Sequence, residues 1–135
     1  MPIDYRIESE RGVIIAVLRE PATLAEGKAY VAATLADPAY SPDLVEVLDA
    51  RELTDPDAAA ATFDAALLLT HVAIRQRVQA RAIIAPGDMV YALARHYAEE
   101  SESSSVPMRV FRDPAAALAW AQLVAWSARR LPSRD

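Results

Sequence analysis

The sequence predicts one α/β domain spanning residues 1–135, with five strands in a mostly parallel sheet, an antiparallel strand at its amino-terminal edge, and helices packed on it, in the order ββαβαβαβα. Three observations carry this. After an initial hairpin, short apolar runs alternate with segments of helical length, the arrangement that gives parallel strands joined by right-handed crossovers. Capping or breaking residues separate the segments, so the boundaries are written locally. The chain has 135 residues, 53% of them hydrophobic, enough for one ordinary core without metal or disulfide support.

The elements follow in order. Ile3, Tyr5 and Ile7 alternate with Asp4, Arg6 and Glu8, the period of a half-exposed strand. Ser9-Glu10-Arg11-Gly12 supplies a turn, and the continuous run Val13–Leu18 reads as a strand covered on both faces. Thr23 and Glu26 form a capping box for a helix whose face Leu24, Gly27, Val31, Leu35 packs on the sheet. Gly27 is unfavourable in a helix, so a close backbone approach is expected there. Asp37-Pro38 closes that helix. Leu44–Leu48 is a third strand ending at Asp49, and a polar loop from Arg51 to Asp57 leads to a helix around Ala58–Arg75. Arg81–Ala85 is a fourth strand, stopped by Pro86-Gly87. Asp88 is expected to cap a helix reaching about Glu100, with Met89, Val90, Leu93 and Tyr97 inward. Ser101–Ser105 is a polar loop and Met108–Phe111 a fifth strand. Asp113 as cap and Pro114 at the first helical position open a last helix to about Arg130.

Composition removes several functions. Cysteine is absent, which excludes disulfides, thiolate nucleophiles and Cys-based metal sites together. A net charge of −5 does not suit a general nucleic-acid binder, which needs a basic face for phosphate. Residues 1–57 carry 5 basic and 12 acidic side chains and residues 58–135 carry 9 and 7, so −7 and +2 make up the total. Of the 14 basic residues 13 are arginine, a bias that GC-rich coding explains. The start, Met1-Pro2-Ile3-Asp4-Tyr5-Arg6, lacks the order of a signal peptide. The apolar stretch Ala58–Ile74 is broken by Thr62, Asp64, Thr70 and His71, short of a membrane span. A cytoplasmic protein without a membrane span is expected.

No glycine-rich phosphate loop or GxSxG elbow occurs, and His71 and His96 fall 25 positions apart inside predicted helices. No cofactor, metal or catalytic residue is assigned. Asp49, Asp55, Asp57 and Asp88 lie at or beyond the carboxyl ends of predicted strands, where open α/β sheets place ligands. Helix capping is the preferred role for these carboxylates over binding a hard cation. The last helix has one apolar stripe of Leu118, Ala121, Ala125 and Ala128 and a second of Ala119, Leu123 and Trp126, widened by Trp120 and Val124. A helix on one sheet face needs only one stripe, so Ala119, Leu123 and Trp126 are candidates for self-association. Tyr91 and Arg95, four apart and facing away from the inward stripe, join Arg51, Thr54, Asp55 and Asp57 as a candidate partner surface.

Several segments together resemble the bacterial SpoIIAA-like proteins, which group with STAS domains and CRAL-TRIO lipid carriers. These are the N-terminal hairpin, Leu48-Asp49-Ala50-Arg51-Glu52-Leu53-Thr54-Asp55, Arg81-Ala82-Ile83-Ile84-Ala85-Pro86, Tyr91-Ala92-Leu93-Ala94-Arg95, Val110-Phe111-Arg112-Asp113 and Ala117-Leu118-Ala119-Trp120. The resemblance covers roughly residues 3–125 and lies in order and spacing. It implies a helix-wound sheet that works by docking to a protein, switched in one subgroup by serine phosphorylation at the start of the helix after the central strand. Counting from Asp49, Asp57 matches that motif, but Ala58 stands at the phosphorylated position and Ala59 at the next, so no phosphosite carries over. The expected function is a non-enzymatic STAS-like interaction or regulatory domain, homo-oligomeric, with a protein partner. The alternative is a small carrier or sensor of an apolar, lipid-like ligand. An enzyme using the strand-end carboxylates or a metal stands third.

Overall fold

The computed structural model describes residues 3–19, 22–69, 77–101 and 106–130. Its elements are β1 (Ile3–Glu8), β2 (Val13–Leu18), α1 (Leu24–Ala36), β3 (Val45–Asp49), α2 (Pro56–Leu69), β4 (Arg81–Ile84), α3 (Asp88–Glu100), β5 (Met108–Phe111) and α4 (Pro114–Arg130). The five strands lie in chain order, β1 antiparallel to β2 and every later pair parallel. The predicted α/β class and the antiparallel edge strand are therefore present. His71 and the remainder of the predicted second helix lie outside the described residues, as does most of the Ser101–Ser105 loop.

This strand order decides where the helices go. Each crossover advances one strand in the same direction, and right-handed crossovers of that kind place their helices on one face. That face buries Ala16, Leu18, Leu48 and Ile83 under Tyr30 of α1, Ala59 and Phe63 of α2, and Val90, Ala94 and Tyr97 of α3. The opposite face carries Val13, Ile15, Val45, Val47, Ala82 and Ile84, which meet Ala117, Ala121 and Ala125 of α4. Period two sorts the strand residues between the faces. Alanine at all three fully buried α4 positions lets that helix lie close to the sheet.

Two glycines hold close approaches. Gly12, at φ 73° in the β1–β2 turn, has no room for a Cβ, which would stand 2.2 Å from the Arg129 guanidinium and 2.7 Å from the Ala125 methyl. The turn therefore seats the carboxyl end of α4. A Cβ on Gly27 would meet Leu69 of α2 at 2.6 Å, the close helix–helix approach that its position in α1 predicts.

Local signals hold in part. Thr23 and Glu26 form both bonds of the capping box. The buried face of α1, however, is Gly27, Tyr30 and Thr34, while Leu35 is exposed. The expected stripe is rotated because Tyr30 reaches a buried carboxylate, described below. At α3, Gly87 rather than Asp88 is the N-cap and makes no side-chain bond. Asp88 instead turns to Arg112, 2.7 Å away. Met89 was expected inward and is 61% exposed; Val90, Ala94 and Tyr97 are the buried positions.

Candidate functional site

The carboxyl ends of β3 and β4 open into two neighbouring connections, and a cleft lies between them. On the β3 side, the Arg51 backbone N–H donates to Asp49 at 3.1 Å and its guanidinium donates to both carboxylate oxygens, at 2.9 and 2.7 Å. The backbone then folds so that Leu53 is buried, its N–H donating to the Ala50 carbonyl at 3.1 Å. Asp55 caps α2, accepting from the Ala58 N–H at 3.2 Å. On the β4 side, Pro86 and Gly87 break the strand and the first turn of α3 projects Met89 outward. Arg112, from the connection after β5, braces this wall by donating to Asp88 at 2.7 Å and to the Pro86 carbonyl at 3.2 Å. It also stacks on the Tyr91 ring at 4.2 Å.

The cleft between these walls has a volume of about 350 Å³ and opens to solvent. Ala50, Arg51, Leu53, Thr54 and Pro56 line one side, and Pro86, Gly87, Asp88, Met89 and Val90 the other. Its charged rim is partly neutralised. Burial acts to raise the Asp49 carboxyl, but the Arg51 hydrogen bonds and charge outweigh it and hold that carboxyl below the ordinary aspartate value. The same pairing raises the Arg51 guanidinium further. Asp49 thus fixes Arg51 at the rim, with the guanidinium still half-exposed.

The candidate partner residues are only partly brought together. Arg51 and Thr54 line the cleft. Asp55 is spent on the cap, and Asp57 is exposed in the first turn of α2. Tyr91 and Arg95 stack weakly, 5.9 Å apart, outside the cleft lining. Tyr91 does not face away from the core as expected; it is half-buried and packs against the three-helix core. Its ring fills the space beside Arg112. Arg95 is exposed near Glu99, 3.7 Å away. On α4, Ala119, Leu123 and Trp126 are all exposed on the side away from the sheet.

Sequence reasoning missed a second polar centre. Glu46, the second residue of β3, is 3% exposed and accepts from Arg81 at 2.6 Å and from the Tyr30 hydroxyl at 2.5 Å. Strand pairing sets it directly beside Arg81 on β4. Tyr97 closes the group from α3. Burial raises its phenol above the ordinary value, while the nearby Arg81 charge opposes that rise. The signal is a carboxylate flanked by valines inside the central strand, with an arginine opening the next.

Among the described residues no group of three His, Asp or Glu side chains is placed to hold a metal ion, and no helix is long and apolar enough to cross a membrane. The molecule is thus an α/β protein with an open cleft of about 350 Å³ between the connections that follow β3 and β4 of a mostly parallel sheet. No family model, curated protein or solved structure matches the chain.

Proposed function

We propose that this chain is a STAS-like interaction domain, regulatory rather than enzymatic, which docks a protein partner at the carboxyl end of its sheet. The observation that carries the reading is Met89, 61% exposed on the wall of the cleft that Arg51 also lines. A flexible thioether beside a fixed guanidinium suits a protein surface: methionine adapts its shape to a partner, and arginine is enriched at interface hot spots. Three of the four strand-end carboxylates have structural work, Asp49 on Arg51, Asp55 on the α2 cap and Asp88 on Arg112, and Asp57 is exposed in the first turn of α2. Ala58 in the first turn of α2 has no hydroxyl to serve as the serine phosphoswitch of the resembled subgroup. Self-association through the outer stripe of α4 belongs to the same proposal.

A second reading, a small carrier of an apolar ligand, is favoured by the size of the cleft and by Ala50, Leu53 and Val90 in its lining. Native mass spectrometry of protein isolated from its own cells separates the two. The interaction reading expects a second polypeptide bound to the chain, lost in an Arg51→Ala, Met89→Asp variant that stays folded. A small extra mass released on denaturation instead establishes the carrier and overturns the proposal.

A further inference from the structure

Helix α4 is 17 residues long and apolar on two sides. Ala117, Ala121 and Ala125 are fully buried on the sheet. The opposite side presents Ala119, Leu123 and Trp126, with Leu123 61% and Trp126 53% exposed. Arg130 continues that stripe one turn further, its guanidinium 4.6 Å from the centre of the Trp126 ring. Packing on the sheet accounts for the inner stripe alone.

The order of sizes and charges along the outer stripe fits one occupant. Counting from Leu123, Ala119 lies four residues toward the amino end and Trp126 three toward the carboxyl end, on the same helix face. When an identical helix runs antiparallel across a two-fold axis at Leu123, large meets small. Trp126 of each copy falls on Ala119 of the other, and the two Leu123 side chains meet at the axis. The ends agree as well. Asp113 is exposed at the amino end of α4 and Arg130 stands at its carboxyl end, while Arg129 turns inward to the β1–β2 turn, so antiparallel copies bring Asp113 and Arg130 to the same end of the pair and oppose unlike helix dipoles. Parallel copies would set Trp126 against Trp126 and Arg130 against Arg130. Among the described residues Arg130 has no carboxylate partner within its own chain.

We infer that two copies of this chain pair through α4, antiparallel across a two-fold axis at Leu123, with Trp126 of each seated on Ala119 of the other. This rests on the self-association proposed above and adds its geometry. Such an interface is isologous, so every substitution acts twice.

The absence of cysteine makes the test clean. Sedimentation equilibrium over a dilution series should give a dimer for the unaltered chain. Trp126→Ala should raise the dissociation constant by roughly a hundredfold or more, since one hot-spot side chain is lost from each copy. The exchanged variant, Ala119→Trp with Trp126→Ala, should recover dimer to within about tenfold, because the large and small positions still meet. Leu123→Cys, exposed to dissolved oxygen as the two-electron oxidant, should form a disulfide-linked dimer, as cysteines at a two-fold axis do when their backbones lie close. These side chains are exposed, so circular dichroism should remain unchanged in all three variants. A dimer that the exchange does not rescue and Leu123→Cys does not cross-link overturns this arrangement while self-association stands. A monomer throughout overturns both.

Discussion

Glu46 and Asp49 lie three residues apart on β3, on opposite faces of the sheet and toward opposite ends of the strand, and each binds an arginine. Glu46 meets Arg81 from the neighbouring strand, and both are enclosed beneath α1 and α3 with Tyr30 and Tyr97. Asp49 meets Arg51 two residues onward, where the chain leaves the sheet and the guanidinium stays half in solvent. The first pair joins β3 to β4 and ties both to the helices above; it is fixed inside the scaffold. The second shapes a loop and holds a charge at the rim of a cleft. Two ion pairs of the same chemistry thus differ in what they can do, because one is shut off from other molecules and the other faces them.

The largest effect should come from breaking the enclosed pair. Arg81→Met should cost about 3–5 kcal/mol in urea unfolding, because Glu46 is left buried without its counter-charge. Replacing Glu46 with Leu and Tyr30 with Phe in the same chain should return most of that stability, since an apolar cluster can substitute for a buried pair. A loss below about 1 kcal/mol for Arg81→Met alone would put the two ion pairs on an equal footing and break the contrast.

Tyr30→Phe sharpens the comparison from the helix side. It removes a hydrogen bond to a buried charge and should cost about 1.5–3 kcal/mol. An unchanged unfolding midpoint would mean that α1 does not depend on Glu46 for its orientation.

Asp49→Asn should cost less than about 1 kcal/mol near neutral pH, because water screens a pair whose guanidinium is half-exposed. Its pH dependence has a definite sign. The native Asp49 carboxyl sits below its ordinary value, so its contribution is present above the unfolded aspartate value and is lost as the pH falls through the lowered native one. Asp49→Asn should therefore flatten the acid side of the stability profile. An acid limb identical to that of the unaltered protein would contradict the pairing.

Much of the scaffold was legible in the sequence. The strands came from apolar runs bounded by Gly12, Asp37-Pro38 and Pro86-Gly87, and the start of α1 from Thr23 and Glu26. Less of the site could be read. Arg51 and Thr54 follow a strand end in the sequence, and the cleft they line forms where the loop after β3 faces the first turn of α3. Met89 fits the inward helical stripe of α3 in the sequence, but with Gly87 as the N-cap the first turn projects it into solvent. The period of α3 puts Tyr91 outside the inward stripe and does not reveal that Arg112, 21 residues later in sequence, stacks against it. Glu46 and Arg81 show the same limit. Periodicity puts each in a strand, and only the register of β3 against β4 makes them neighbours.

The central claim is that recognition occurs at the carboxyl end of the sheet and not at the amino end. Two exposed apolar side chains of similar accessibility mark these ends: Met89, 61% exposed beside the cleft, and Leu68, 55% exposed near the far end of α2. A photo-cross-linking residue placed at 89 or at 68 in the full chain, in the cells that make it, compares them directly. Docking at the carboxyl end should give one defined protein adduct from position 89, lost when Arg51 is changed to Ala, and none of that mass from position 68. The same adduct from position 68, or from position 89 regardless of Arg51, would contradict it.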